Sequence, residues 1–284
     1  MSTQFSMAEL LNATENFSPN MIIDHGDSFL VYKARLSNGL TVAVKKLDPA
    51  AFPGFREFRA EVETLGKLRH PNIVKLWGYN ASDSAGLFVY EFVEKGNLQN
   101  WLRPHVSTTN LSWQARLRIV RGVADGLAYL HGLESPIVHR NIAAVNVLLD
   151  SEFQARITNF VLARRFESAA HTHVSTFPVG TGAYTPPEYK MLGLDIATLK
   201  GDVFSFGILM WEIATGRLPQ GKELAGLYDR QDRYRGLVDS KIRRSELNEA
   251  NAKLYFRIIC LCVPCRPENR PAMREVVQWL SQIL

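Results

Sequence analysis

Two periods of apolar and polar residues divide the chain. In its first third the apolar residues come in short runs of strand character: Met21-Ile22-Ile23, Phe29 to Ala34, Thr41 to Leu47, Ile73 to Tyr79 and Leu87 to Phe92. β-Branched and aromatic residues in such runs suit a half-buried pleated surface. Asn38-Gly39 between two runs predicts a hairpin, because both residues accept positive φ. A second turn is expected at Ser82-Asp83-Ser84-Ala85-Gly86. Phe55, Phe58, Val62 and Leu65 fall at helical spacing, so residues 55–68 predict one amphipathic helix, stopped by His70-Pro71-Asn72. Residues 1–17 read as a short helix and lead-in segment. Residues 18–93 therefore predict an α+β lobe of five strands and one helix.

Beyond Gly96 the period becomes helical. A helix starts at Leu98–Leu102, and Thr108-Thr109-Asn110 marks a polar loop. Ser112 is placed to cap a long helix ending at His131, with Trp113, Leu117, Val120, Ala124, Leu127 and Leu130 on its inner face. Val147-Leu148-Leu149 and Ala155-Arg156-Ile157 read as a short hairpin turning at Ser151-Glu152. Residues 165–185, rich in Ser, Thr, His and Gly, predict a long exposed loop. Helices are expected from Gly201 to Thr215, Asn248 to Cys262 and Met273 to Ile283, and residues 220–245 are charged and irregular. Residues 94–284 thus predict a larger, mainly helical lobe.

Composition narrows the function classes without selecting one. A chain of 284 residues, 46% apolar and 21% charged, can bury a large core. A net charge of +5 without a dense Lys/Arg stripe predicts no nucleic-acid partner. Cys260, Cys262 and Cys265 lack a fourth ligand at metal-site spacing and read as structural thiols. No apolar run has the length of a membrane span, so a membrane association is expected only through a segment preceding this one.

The run from His139 to Arg164 carries the chemistry. His139-Arg140-Asn141, Asn146, the short hairpin and Asn159-Phe160-Val161 resemble the catalytic loop and metal-binding segment of the protein-kinase fold, which read H-R-D-L-x-x-x-N and D-F-G. Further signatures run along the chain: Val42-Ala43-Val44-Lys45, Gly180 to Glu188, and Asp202-Val203-Phe204-Ser205-Phe206-Gly207. With Leu11 to Ser18 and Phe88 to Phe92, they resemble the plant receptor-like branch that includes the interleukin-receptor-associated and Pelle kinases. The resemblance covers residues 18–284. It implies a bilobal α+β protein-kinase-like fold, divided as lead-in 1–17, small lobe 18–93 and large lobe 94–284. It also places His139-Arg140, Phe160, Pro187-Glu188, Asp202 and Arg270 in fold-holding roles, with Glu188 and Arg270 as an ion pair.

The same resemblance exposes departures. Phosphoryl transfer needs phosphates held, metal placed and a hydroxyl oriented. The three glycine positions of the phosphate loop fall at Asp24, Gly26 and Phe29; only Gly26 is glycine, and Phe29 is expected to project a ring where phosphate would lie. Lys45 and Glu61 match the pair that orients the α- and β-phosphates, and equally suit a structural ion pair whose helix a partner reads. The metal-binding aspartate is Asn159, a neutral and poorer ligand for a hard cation. Asn146 retains the second ligand position. The catalytic aspartate is Asn141, whose amide cannot accept the hydroxyl proton. Ala143 replaces the lysine that touches the γ-phosphate. Val161 replaces a glycine and is expected to stiffen its segment.

These positions predict a degenerate kinase domain that is not an enzyme: a scaffold or allosteric regulator of a partner, an active receptor kinase or another signalling protein. No catalytic residue, metal or cofactor is expected, and no ATP binding. The vestigial nucleotide set is Asp24, Gly26, Phe29, Ala43, Lys45, Glu61, Glu91, Val93, Asn146 and Leu148. Ser168, Thr172, Ser175 and Thr176 are candidate phosphosites, beside Arg140, Arg164 and Arg165, or are hydroxyls that only solubilise a loop. The alternative is a residual serine/threonine kinase or a metal-independent nucleotide-sensing switch. A module for a nonprotein ligand has no motif behind it. The resemblance places the chain as the cytosolic domain of a plasma-membrane receptor.

Overall fold

The computed structural model describes residues 3–26, 29–48, 58, 62–82, 85–103, 110–166, 174–175, 182–191, 196–220, 223–224 and 236–283. Its contacts form two compact units, Met1–Glu94 and Lys95–Leu284.

The first unit is built on one sheet of strands β1 (Thr3–Gln4), β2 (Ile22–Gly26), β3 (Phe29–Arg35), β4 (Thr41–Leu47), β5 (Leu76–Ser82) and β6 (Ala85–Glu91), with helix α1 (Met7–Ala13) against it. The order is β1-β5-β6-β4-β3-β2, antiparallel except for the parallel β1–β5 pair. Alternation explains β4: Val42 and Val44 point into the core shared with Leu10 and Ala13 of α1 and with Tyr32, Ala34, Leu36, Leu87 and Val89. Gly39, at φ 84°, turns the tip of the β3–β4 connection, and Asn38 Oδ1 accepts from Leu40 N. That connection spans Leu36–Leu40, longer than a two-residue turn, because the last pair is Arg35 with Thr41.

Three sequence expectations change here. The lead-in adds a sixth strand to the five expected. Phe5 N donates to Tyr79 O at 3.0 Å, and Asn80 Nδ2 donates to Phe5 O at 2.7 Å. Gly78 makes the approach feasible: a Cβ there would lie 1.9 Å from Thr3 O. The strand expected at Ile73–Tyr79 begins only at Leu76; ahead of it Ile73 makes a single β-bridge, and Ile73 and Val74 are both buried. The expected turn at 82–86 is tighter than predicted, since Ser82 pairs with Ala85. Of the helix expected at 55–68, residues 58 and 62–65 are helical, and Phe55 lies outside the described residues. Phe58 stacks on Phe88 at 4.6 Å.

After α1 the chain turns through three successive left-handed residues, Glu15, Asn16 and Phe17, at φ 52°, 58° and 55°. Such backbone costs about 1–2 kcal/mol per non-glycine residue. Thr14 offsets part of this: its hydroxyl donates to Leu10 O at 2.7 Å and accepts from Phe17 N at 3.1 Å.

The second unit packs α2 (Leu98–Leu102), α3 (Trp113–His131), α4 (Pro187–Met191), α5 (Leu199–Thr215), α6 (Glu249–Cys262) and α7 (Met273–Leu280). Ser112 caps α3 through Ala115 N, and Asn248 caps α6 through Asn251 N. The residues expected on the inner face of α3 are buried, and α5 is buried along nearly its whole length. The sequence analysis missed Arg116. Buried on α3, it donates to Asp239 Oδ2 at 2.6 Å and to the carbonyls of Leu111 and Ile213. Arg270 grips Glu188 with two hydrogen bonds of 2.7 Å.

Short strand pairs complete the unit: β7 (Ile137–Val138) with β10 (Arg164–Arg165), β8 (Val147–Leu149) with β9 (Ala155–Ile157), and β11 (Val174–Ser175) with β12 (Ile196–Ala197). The segment expected as a loop at 165–185 therefore contains strand β11, whose partner lies some twenty residues on and leaves no local period. Cys260 and Cys262 are buried and Cys265 is exposed. Among the described residues no helix is long and apolar enough to cross a membrane.

Candidate active site

Asp202, near the start of α5, sets the loop that holds the second unit's candidate residues. Its Oδ2 accepts from His139 N at 2.7 Å and from the His131 ring at 3.0 Å, and its Oδ1 accepts from Arg140 N at 2.8 Å. Arg140 adopts φ 70°, a left-handed conformation held by that contact and by Arg140 Nη1 donating to Leu162 O at 3.2 Å. His139 Nδ1 accepts from Asn141 N at 3.2 Å, which leaves Nε2–H to donate to Thr158 O at 3.0 Å. The His139 ring meets the buried Phe160 edge-on, 4.8 Å between centroids. The catalytic loop and the 159–161 segment are thus fastened together through backbone groups and one imidazole.

Three amides occupy the positions where the resemblance expects Asp, Asn and Asp. Asn146 Nδ2 donates to Asn141 O at 2.8 Å, and Asn146 Oδ1 accepts from Asn159 Nδ2 at 3.0 Å. Asn159 sits at φ 66°, a conformation asparagine tolerates. The sequence analysis did not foresee this pair. Val161 lies in the 3-10 turn Phe160–Leu162, after the left-handed residue, so its position does not ask for positive φ. Ala143 is buried and extended, and Ala144 N donates to the Tyr184 hydroxyl at 3.4 Å. Leu148 pairs with Arg156 across the short hairpin.

This donor set does not fit a hard divalent cation. Mg²⁺ seeks anionic oxygens in octahedral array. Here both candidate ligands are neutral amides, and the oxygen of one is taken by the N–H of the other. Among the described residues no group of three or more His, Cys, Asp or Glu could hold a metal.

The first unit supplies a row across its sheet: Asp24 opposite Val31, Val31 opposite Lys45, and Lys45 opposite Phe88. Lys45 is 5% exposed. Its Nζ lies 4.7 Å from the Phe29 ring centroid and 5.8 Å from that of Phe88. Burial pushes the Asp24 carboxyl above its ordinary pKa, opposed by the hydrogen bond from His25 N and by the charges of His25 and Lys45. Ala43 pairs with Tyr90, and Val93 is buried. The Glu91 carboxylate accepts from Lys75 N at 2.8 Å. Glu61 lies outside the described residues, and with it the Lys45–Glu61 pair. So do Ser168, Thr172 and Thr176; the backbone of Ser175 belongs to β11.

A buried acid also went unnoticed. Glu212 on α5 accepts a hydrogen bond from the Tyr184 hydroxyl. Burial raises the Glu212 pKa, with the Tyr184 hydrogen bond and the Arg103 charge acting in opposition. Burial, the Glu212 charge and their shared hydrogen bond push the Tyr184 hydroxyl upward. The signal available was a lone acid inside an apolar helical run.

A family model described as protein tyrosine and serine/threonine kinase matches residues 20–280. Phytosulfokine receptor 2 of Arabidopsis thaliana is 41% identical over 290 residues, covering 98% of this chain and 28% of its own. Leucine-rich repeat receptor protein kinase EMS1 of the same plant is 41% identical, with 98% and 24% covered. The chain thus spans about a quarter of the length of these receptors. Probable serine/threonine-protein kinase PBL28, also of Arabidopsis thaliana, is 34% identical, covering 100% of this chain and 79% of its own.

These relatives overturn the expectation that the chain is not an enzyme. Proteins named as kinases match it along practically its whole length, and none of the comparisons marks a loss of catalysis. The physical fault in the expectation lies in its weighting. A positioned base contributes about 10²–10⁴-fold to a proton transfer, so replacing it lowers a rate and does not remove the reaction.

Proposed function

Because the chain belongs to the protein tyrosine and serine/threonine kinase family, in its plant receptor-like branch, we propose that it is a residual serine/threonine kinase domain that transfers a phosphoryl group slowly. The observation that carries this reading is the near-complete match to proteins named as kinases, one of them covered over 79% of its own length. The intact frame of the catalytic loop supports it: Asp202 holds His139 and Arg140 by their backbone N–H groups, whatever side chains follow.

The chemistry divides among this chain's own residues. The transferred phosphoryl passes through a loose transition state in which positioning and electrostatics dominate. Lys45 supplies positive charge to the nucleotide phosphates. The Asn141 amide oxygen orients the acceptor hydroxyl by accepting its hydrogen bond, and the proton leaves to solvent or phosphate late in the transfer. No step runs through a metal, since the Asn146–Asn159 pair does not fit one.

The test is incorporation of labelled γ-phosphate into the chain itself and into a generic serine/threonine substrate. Slow incorporation that disappears in Lys45→Met is expected. Asn141→Asp should raise it about 10²-fold or more, the lower range for a positioned base. Incorporation equal in wild type and Lys45→Met, with no gain in Asn141→Asp, overturns the reading.

The Asn146–Asn159 hydrogen bond favours a second reading, a metal-independent nucleotide-sensing switch. Nucleotide binding that is insensitive to chelator, without any incorporation, distinguishes it. In either case we place the domain on the cytosolic side of a plasma-membrane receptor. Its partner would be another receptor kinase or a signalling protein.

A further inference from the structure

We propose that Phe29 is a gate over Lys45: its ring, seated on Gly26, holds the place of the phosphates of a nucleoside di- or triphosphate, which reach the Lys45 ammonium only when the ring swings away. The inference rests on the reading of Lys45 as a phosphate-binding lysine, and it names what controls access to it.

The sheet register carries the argument. Phe29 pairs with Leu47 and Val31 with Lys45, so Phe29 and Lys45 are diagonal neighbours on one face, within reach of a long and an aromatic side chain. Phe88 stands directly opposite Lys45 on the other side. The ammonium therefore has an aromatic ring on each flank, at 4.7 and 5.8 Å, an attraction that strengthens when the cation is desolvated. Asp24 lies two strands away on the same row, and its carboxyl feels the Lys45 charge.

Gly26 is what lets the ring settle there. It is the cross-strand partner of Phe29, and a Cβ at 26 would lie 2.5 Å from Phe29 Cε1 and 2.8 Å from Cζ. A glycine that the phosphate-loop pattern keeps for close approach of a ligand here makes room for a side chain of the same sheet. The ring and a phosphate need the same cation, so they compete, and the winner depends on how firmly the ring is seated.

Two changes unseat it by different routes. Phe29→Gly removes the ring, and Gly26→Ala leaves it intact but takes away its seat. Phe29→Leu retains apolar bulk and removes the aromatic face, guarding against misfolding of the glycine variant. ADP is titrated into each protein with chelator present, so that no divalent ion contributes. In a parallel measurement without nucleotide, the rate at which a small acylating reagent modifies Lys45 is followed by mass spectrometry. Phe29→Gly and Gly26→Ala are expected to bind ADP about 10-fold more tightly than wild type, some 1.4 kcal/mol. Phe29→Leu should fall between, and Lys45 should acylate faster in all three. Unchanged or weaker ADP affinity in Phe29→Gly and Gly26→Ala, absence of ADP binding throughout, or an unchanged acylation rate overturns the gate. Acylation and ADP binding need no turnover. A chain that shows both gains but transfers no phosphate would therefore refute the kinase reading and leave the gate standing.

Discussion

Replacing Gly78 with alanine sets a new methyl group against the backbone of β1. The Cβ would stand 1.9 Å from Thr3 O and 2.7 Å from Phe5 Cε2. A carbonyl in a strand cannot turn aside as the end of a flexible side chain can, so the Thr3–Phe5 segment has to leave the sheet. What holds it there is small. The two hydrogen bonds that Phe5 makes with Tyr79 and Asn80, plus the short ladder, contribute about 1 kcal/mol each. Partial burial of the Phe5 ring adds about 1–2 kcal/mol. Against this, fixing three residues of backbone costs about 1–2 kcal/mol apiece. Gains of about 4–5 kcal/mol against costs of about 3–6 kcal/mol leave a surplus of at most about 2 kcal/mol; a surplus of about 1 kcal/mol keeps the segment docked roughly five times as often as free. The expected thermal effect of Gly78→Ala is therefore slight, a fall of about 2 °C. The discriminating assay is hydrogen exchange. The Phe5 amide should exchange about five-fold more slowly than a free chain in wild type and at the free rate in the variant. The amides of Leu10 and Thr14 should keep their protection, because α1 is held by its own buried side chains. Undiminished protection at Phe5, or its loss throughout α1, would refute the reasoning.

Two further outcomes are expected. Glu212 is pushed above the ordinary glutamate value of 4.5 by burial. The folded state then holds its proton more tightly than the unfolded state. Stability falls as pH rises from 4.5 through the folded pKa, and Glu212→Gln should abolish that fall; melting temperatures of both proteins between about pH 4 and 8 that run parallel would contradict this. Arg270→Met leaves Glu188 without its bidentate partner in a site where the arginine side chain is 0% and the glutamate 13% exposed. It should cost about 3–5 kcal/mol in urea denaturation, and a loss under 1 kcal/mol would reduce the pair to a surface contact.

The parts of the molecule that a short stretch of sequence specifies were readable from it. Ser112 and Asn248 announce helix starts because a cap is a contact three residues long. Glu188 and Arg270 are far apart in sequence and were paired only through the resemblance. The unread features depend on distance or on side-chain direction. Strand β1 is two exposed residues, and its slot at Gly78 lies more than seventy residues away. The hydrogen bond between the Asn146 and Asn159 amides requires knowing where each side chain points. At Phe29 the sequence placed a ring in the phosphate region; its position over Lys45 follows from register, which no local pattern encodes. On activity the sequence reading went too far. It weighed lost charges residue by residue, whereas the likeness to named kinases extends along the whole chain.

Asp202 holds the catalytic loop by backbone N–H groups, which every non-proline residue carries. The shape of the loop is thus insured against changes in what it displays. The side chain of Asn141 can be exchanged without removing this anchor, because the bonds to Asp202 come from the N–H groups of His139 and Arg140; Ala143 is fully buried, and a larger side chain there would have to displace its neighbours. On the residual-kinase reading proposed above, the rate of transfer is therefore tuned at Asn141 with little cost to the frame that Asp202 holds.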